Sequence, residues 1–151
     1  MPSLYLARGS DGLETPLPGS INGECIPAAC ARNAARGPGG LARVSREHLL
    51  DWAPDAIVTQ YAEFAALVAR DPFWQSLPAV RAGRFHLAPD SPFGWLDGPP
   101  SISRLLGVRW LHQRLHGGNE NIDWIEQARD FHQLFYGHAP SREQLASSLS
   151  A

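Results

Sequence analysis

The sequence lacks lysine, so all 13 of its basic residues are arginine, and these face 15 acidic residues. The formal net charge of −2 argues against a nucleic-acid-binding protein, which usually carries a basic stripe. The two cysteines, Cys25 and Cys30, are five residues apart and would lie on different faces of a helix. We therefore expect no local disulfide and no zinc framework, and we predict that both cysteines are small buried residues.

Long apolar runs are absent as well. No stretch approaches the roughly 18 residues that a membrane-spanning helix needs. Residues 1–5 contain no basic segment followed by an apolar one, so we expect no signal peptide in this chain. The sequence also lacks the common glycine-rich phosphate-binding, zinc-protease and serine-hydrolase motifs. This absence argues against an enzyme of those classes and gives no indication of a cofactor.

Two histidines at helical spacing come nearest to a metal motif. His112 and His116 are four residues apart, so on a helix they would share a face and could bind a metal ion. No third ligand follows at a fixed spacing. The alternative is a solvated helix end, where histidine suits the negative end of the helix dipole. We therefore predict no metal site from the sequence.

The sequence does contain enough apolar residues for one packed domain. Hydrophobic residues make up 44% of the 151, and five of them are tryptophan. Segments rich in β-forming residues predict strands at residues 3–8, 55–59 and 84–88. The alternation of strands and helices predicts an α/β fold with a small, mostly parallel sheet flanked by helices. Helices are predicted at residues 21–31, 45–53, 63–70, 71–74, 101–116 and 122–136, and after Ser141.

A loop rich in proline, glycine and aromatic residues is the strongest candidate for a binding site. It spans residues 89–100, between the third strand and the long helix, and includes Phe93, Trp95 and Asp97. Ligands of open α/β sheets bind at the carboxyl ends of the strands. The two aromatic rings could form a rigid apolar wall there, with Asp97 orienting the loop or hydrogen bonding a ligand. The alternative is that both rings fold back onto the core.

Arg8 ends the first predicted strand, so we expect it at the same edge as this loop. A guanidinium at that edge suits an anionic ligand or a carboxylate. The alternative is a surface arginine or an ion pair with Asp11 or Glu14. A small α/β enzyme with a site built from Asp97, His86 and Arg8 is a further alternative, which the missing catalytic motifs disfavour.

Several segments, in order along the chain, resemble one known family. Residues 40–50 and 52–58 resemble the family's VSxEqLLxWxPDvIv stretch, and residues 71–74 and 79–84 resemble its W…AV+xGRv stretch. Together the segments resemble the C-terminal lobe of the substrate-binding proteins of ABC transporters that import iron–siderophore complexes, haem or cobalamin. Further matching segments are residues 8–15, 19–21, 32–35, 92–97, 99–101, 107–111, 130–131 and 134–136.

The resemblance implies two α/β lobes joined by a stiff helix, with a metal chelate held between them and delivered to a membrane permease. In the family, chelate contacts come partly from the loop after the first strand of this lobe and from the loop before its long helix. These loops match Arg8 in the first case and Phe93, Trp95 and Asp97 in the second. The family's glutamate that pairs with permease arginines matches Glu47. The alternative for Glu47 is a dipole partner at a helix N-terminus.

The resemblance assigns residues 1–116 to the α/β lobe and residues 117–151 to C-terminal helices packed on the same lobe. We expect the N-terminal lobe and the linker helix to be absent from this chain. One lobe alone should bind a chelate weakly, or pair with a separate N-terminal lobe. A periplasmic or membrane-associated location is implied in the same way. The family usually has glycine where residues 30–32, Cys-Ala-Arg, stand, which alters the end of the helix there.

The predicted function is that of a receptor and not of an enzyme. The chain would capture an iron chelate of the siderophore type and deliver it to the permease of an ABC importer. Alternative ligands are haem, cobalamin or another metal complex. A further alternative is a non-binding interaction module, in which the uncovered face of a lone lobe self-associates.

Overall fold

Four parallel strands form the central sheet of the computed structural model, which describes residues 1–98, 101–117 and 121–149. The strands of the chain are β1 (Ser3–Ala7), β2 (Glu14–Pro16), β3 (Arg32–Asn33), β4 (Leu41–Arg43), β5 (Ala56–Thr59) and β6 (Phe85–Leu87). The order across the central sheet is β3, β1, β5, β6, while β2 and β4 form a separate antiparallel pair. Because all neighbours in the central sheet are parallel, their carboxyl ends share one edge, the carboxyl edge, and their amino ends share the opposite amino edge.

Eight helices surround the sheet within the described ranges. Several begin at a residue whose side chain accepts a backbone N–H, as Ser45, Asp71 and Asp123 do. None of the helices in this part of the chain is long and apolar enough to cross a bilayer. The helices are α1 (Cys25–Ala28), α2 (Arg46–Trp52), α3 (Ala62–Val68), α4 (Pro72–Ser76), α5 (Pro78–Arg81), α6 (Arg104–His116), α7 (Trp124–Tyr136) and α8 (Arg142–Leu149).

The predicted α/β fold with a mostly parallel sheet is confirmed. The three predicted strands are β1, β5 and β6, whereas β3, which has only two residues, and the β2–β4 pair were not predicted. Residues 99–100, which belong to a segment that resembles the family, lie outside the described ranges, and so does Gly118, which follows the long helix.

The predicted helix over residues 21–31 is wrong in length. A 3-10 turn at Ile21–Gly23 and the four-residue α1 take its place. Pro27 explains the break, because proline has no N–H to donate to the carbonyl four residues earlier and its ring clashes with that carbonyl. The short α1 then ends at Ala28, with Ala29 as its C-cap, and β3 begins at Arg32 after a short turn.

Both faces of the central sheet are covered. Leu4 and Leu6 of β1 belong to one buried cluster, and Tyr5 and Ala7 belong to the other, as expected for a strand that is packed on both sides. The first cluster includes side chains of α1, α6, α7 and α8, so the C-terminal helices pack on the same face as α6. The second includes side chains of α2, α3, α4 and α5. The predicted boundary between residues 116 and 117 stays a prediction.

The two cysteines differ in environment. Cys25 is buried and Cys30 is exposed, so the prediction of two buried cysteines is wrong for Cys30. Cys30 has a φ of 58°, in the left-handed region that favours glycine. Cys30 belongs to the three-residue segment, residues 30–32, at which the resembled family usually has glycine. In the turn between α1 and β3, Cys30 therefore has a left-handed conformation although it carries a Cβ atom.

Replacing Cys30 with glycine should stabilise the protein by about 1 kcal/mol, because a left-handed conformation costs a non-glycine residue about that much. Urea unfolding would measure the change. Cys30→Ala is the matched control, since alanine removes the thiol and retains the Cβ atom. Equal stabilities of the glycine and alanine variants would contradict the assignment of strain to this turn.

Candidate functional site

Three elements bring polar side chains to the carboxyl edge. Arg8 directly follows β1, Gln60 directly follows β5, and the loop of residues 89–98 follows β6. The structure brings Arg8 and this loop together, as the sequence predicted from the shared edge of parallel strands. The contact is made through Asp97, which approaches Arg8 directly.

The loop is held to the sheet and to α6 through its backbone. The side-chain oxygen of Gln60 accepts the N–H groups of Leu96 and Asp97, at 2.5 and 2.7 Å. From the other side, Arg104 Nε donates to the Leu96 carbonyl at 2.7 Å. Gly107 lets α6 approach the carbonyl of Trp95 so closely that a Cβ atom there would lie 1.9 Å from its oxygen. These contacts fix the course of the chain around Asp97.

Asp97 lies between two arginines, and we call Arg8, Asp97 and Arg104 the arginine cluster. The carboxylate is only 3% exposed. One of its oxygens is 2.5 Å from Arg8 Nε, and the other accepts from Asn22 at 2.6 Å and lies 4.0 Å from Arg104 Nη2. Both guanidiniums are mostly buried, with 14% and 15% of their side chains exposed. Each buried charge needs a partner of opposite sign, because an unpaired charge in the protein interior is destabilising.

Two further carboxylates complete the pairing of the arginines. Glu14 accepts from Arg8 Nη1 at 2.7 Å, and Glu24 lies 3.7 Å from Arg104 Nη1. The alternative of an Arg8–Glu14 ion pair is thus confirmed, whereas Asp11 pairs with Arg43 instead. Together with Glu14 and Glu24, the cluster has three carboxylates and two guanidiniums, so the group as a whole has no excess positive charge to offer to an anion.

The two aromatic residues of the loop have different environments. Trp95 is fully buried in the first core cluster, with its ring 6.2 Å from that of Trp124. The expectation that Trp95 forms part of a ligand-facing wall is therefore wrong: its ring folds back onto the core, which was the alternative. Phe93 is 49% exposed and lies 5.2 Å from the ring of Tyr136, which is 41% exposed. Phe93 and Tyr136 form an aromatic surface beside the loop.

Glu47 is exposed in the first turn of α2. A hydrogen bond from Ser45 and the backbone N–H at the helix start hold the pKa of its carboxyl below the usual value. Since Val44 pairs with Leu13, which lies between β1 and β2, α2 begins near the carboxyl edge. A role in docking to a permease stays a prediction.

His86 does not join the Arg8–Asp97 pair. It lies on β6, which β5 separates from β1, and its ring packs edge-on against Trp110 at 6.5 Å. Burial, with a contribution from Arg114, lowers the pKa of this histidine. The arrangement that the enzyme alternative requires is therefore not formed by these three residues.

Three residues that position the site were not predicted: Gln60, Arg104 and Asn22. Gln60 follows a predicted strand, and Arg104 lies at the start of the predicted long helix, so both could have been found by asking which polar residues reach the carboxyl edge. Asn22 gave no such signal, because it was predicted to lie within a helix over residues 21–31, whereas it lies in a 3-10 turn.

An exposed apolar surface on α6 and α7 was also not predicted. It contains Leu105, Leu134 and Phe135, which are 59%, 77% and 44% exposed.

Comparison with known proteins gives a consistent result. No protein-family model matches the chain. The molybdate-binding protein MolA of Haemophilus influenzae is 29% identical over 101 residues, which is 64% of this chain and 28% of that protein. An ABC transporter solute-binding protein from Sulfurospirillum deleyianum superposes with a TM-score of 0.86 at 30% identity, covering 99% of this chain and 48% of its own.

Two further solved structures extend the comparison. A periplasmic solute-binding protein from Veillonella parvula has a TM-score of 0.78 at 20% identity and covers 99% of this chain and 47% of its own. The molybdate-bound periplasmic binding protein MolA has a TM-score of 0.76 at 26% identity, over 93% of this chain and 43% of its own. The chain spans about half the length of these solved relatives. Its structural neighbours are thus periplasmic solute-binding proteins of ABC transporters, and its fold is that of a single lobe of such a protein.

Proposed function

We propose that this chain is the C-terminal lobe of an ABC-importer solute-binding protein and that it captures a metal chelate with an exposed organic surface. The observation that carries the proposal is the half-exposed Phe93 ring on a loop fixed at the carboxyl edge. An aromatic ring held in this way provides apolar contact area for a chelate without losing conformational freedom on binding. An iron–siderophore complex is the ligand class first expected, and haem or cobalamin would use the same surface.

The pairing of polar groups at this edge supports a chelate over a bare oxyanion such as the molybdate that MolA is named for. Carboxylates lie within 4.0 Å of both Arg8 and Arg104, and the two of their nitrogens that lack a hydrogen-bond partner among the described residues, Arg8 Nε and Arg104 Nη2, are buried. The N–H groups of Leu96 and Asp97 donate to Gln60. A bare oxyanion relies on unpaired hydrogen-bond donors, whereas a chelate also gains from apolar contact. The arginine cluster then positions the loop, and Phe93 contacts the ligand.

Partner and location follow from the same proposal. Two of the solved relatives are described as periplasmic, and we infer the same location for this lobe. A second lobe would cover the ligand from the opposite side, because one lobe leaves most of it exposed to water. Glu47, which is exposed and near the carboxyl edge, would pair with an arginine of the permease.

A ligand panel tests the proposal on the chain as it exists. Gallium(III) complexes of a catecholate and a hydroxamate siderophore, haem, cyanocobalamin and molybdate would each be titrated into isotope-labelled protein and followed by NMR. We expect at least one chelate to bind weakly and to shift the signals of residues 93–97, with molybdate having no effect. Phe93→Ala should weaken that binding about fivefold, because loss of an aromatic contact of this kind is worth about 1 kcal/mol.

Phe135→Ala is the matched control, since Phe135 is similarly exposed but lies on the apolar surface of α6 and α7. It should leave chelate affinity unchanged. Molybdate binding in the absence of chelate binding would overturn the proposed ligand class. Equal effects of the two phenylalanine substitutions would overturn the assignment of the contact surface to Phe93.

A further inference from the structure

Two histidines of α6 and one backbone carbonyl converge at the end of α1. His112 Nδ1 lies 3.3 Å from the carbonyl oxygen of Ala29, and His116 Nε2 lies 3.2 Å from the same oxygen. The two imidazole centroids are 4.5 Å apart, as their four-residue spacing on one helix face allows. Both histidines are exposed, so a solute can reach them.

These distances match one side of a metal coordination shell. Nitrogen and oxygen ligands at about 2.1 Å from a shared cation are about 3.0–3.4 Å apart in octahedral or tetrahedral geometry. The two N···O distances fall within that range. Imidazole nitrogen is a preferred ligand of copper, nickel and zinc, and water can fill the remaining positions at an exposed site.

We propose that His112, His116 and the Ala29 carbonyl form a site for a divalent transition-metal ion. The affinity should follow the usual order for nitrogen and oxygen ligands, with Cu²⁺ bound more tightly than Ni²⁺ or Zn²⁺. No group of three or more His, Cys, Asp or Glu side chains that could hold a metal ion occurs among the described residues. The backbone carbonyl therefore supplies the third ligand that the sequence does not contain.

This site is separate from the chelate surface. Arg104, beside Asp97, begins α6 and His116 ends it, so the two lie about 18 Å apart along a helix that rises 1.5 Å per residue. Ala29 precedes β3, whose first residue pairs with Ser3, so the site lies at the amino edge. The proposal is therefore independent of the ligand class proposed for the carboxyl edge.

A bound metal ion would link α1 to α6. With only four residues, α1 gains little stability from its own hydrogen bonds and depends on contacts with α6. An ion coordinated by both elements binds the folded state more tightly than the unfolded chain, so it should raise the unfolding temperature of the protein. An ion bound only by His112 and His116 would contact α6 alone and would not link α6 to α1.

Calorimetric titration of the tag-free chain with Cu²⁺, and separately with Zn²⁺, tests the proposal. We expect saturable binding of one ion per chain. His112→Gln and His116→Gln should each lower the affinity about tenfold or more, because each removes one of two side-chain ligands. Glutamine retains an N–H donor for the Ala29 carbonyl, so the variants should keep the fold. His138→Gln, at an exposed histidine on another part of the chain, is the matched control.

Thermal unfolding with saturating Zn²⁺ gives a second readout. At a Zn²⁺ concentration that just saturates the original chain, the unfolding temperature should rise for that chain and for His138→Gln, and it should rise less for His116→Gln. The proposal is overturned if His112→Gln and His116→Gln retain full affinity, or if His138→Gln loses as much affinity as they do. Binding that leaves the unfolding temperature unchanged would also overturn it, because the ion would then not link α1 to α6.

Discussion

Replacing Gly107 with alanine should lower the free energy of unfolding by about 3 kcal/mol or more. The added Cβ atom would lie 1.9 Å from the Trp95 carbonyl oxygen and 2.6 Å from its carbon, so α6 or the loop would have to move. Both of these atoms belong to backbone, and the neighbouring Leu96 is held by Gln60 and Arg104. Alanine normally stabilises a helix interior by about 1 kcal/mol relative to glycine. A loss of stability would therefore show that the close contact between α6 and the loop outweighs this helix preference.

Urea unfolding followed by circular dichroism measures this difference. Gly23→Ala is the matched control, because a Cβ atom at Gly23 would meet its nearest neighbour at an ordinary 3.4 Å. The control should change stability by less than about 1 kcal/mol. A Gly107→Ala variant as stable as the original chain would show that the loop is free to move away from α6.

Replacing Asp97 with asparagine should destabilise the protein by about 3 kcal/mol, because it removes one partner of a buried ion pair. Arg8 and Arg104 would then remain largely buried with less compensating charge, although Glu14 and Glu24 would still contact them. The asparagine side chain has nearly the same size, so the loss reports on charge and hydrogen bonding and not on packing.

Asp51→Asn is the matched control for this change. Asp51 forms an ion pair with Arg36 at 3.6 Å, but both side chains are about 70% exposed, so its removal should cost less than about 0.5 kcal/mol. Adding Arg8→Met to Asp97→Asn removes one of the stranded charges and should recover part of the lost stability. Equal effects of Asp97→Asn and Asp51→Asn would contradict the role given to the arginine cluster.

Local signals predicted much of the fold. The strands β1, β5 and β6 are runs of β-forming residues bounded by turns, and Ser45 marks the start of α2 because it can cap a helix. The strand β3 could not be predicted, since two polar residues carry no periodic pattern. Its pairing with β1 depends on where the chain emerges from α1, which is a tertiary effect.

The candidate site was only partly predictable, for a similar reason. The rule that parallel strands end at one edge was sufficient to bring Arg8 and the loop of residues 89–98 together. The same rule could not predict the orientation of the Phe93 and Trp95 rings. Trp95 is buried because Trp124, from a helix further along the chain, packs against it, whereas Phe93 packs against Tyr136 and stays half-exposed. Such orientation depends on the covering elements and not on the loop sequence.

Under the proposed function, the Gln60 amide has a consequence for the rate at which a solute would bind. Its oxygen accepts the N–H groups of Leu96 and Asp97, and the Phe93 ring packs against Tyr136, so the loop is ordered without a bound solute. A solute that binds this lobe as proposed would then require no ordering of the loop, so we expect its association rate to be limited by diffusion and orientation. Differences in affinity among competing solutes would therefore arise mainly from their dissociation rates.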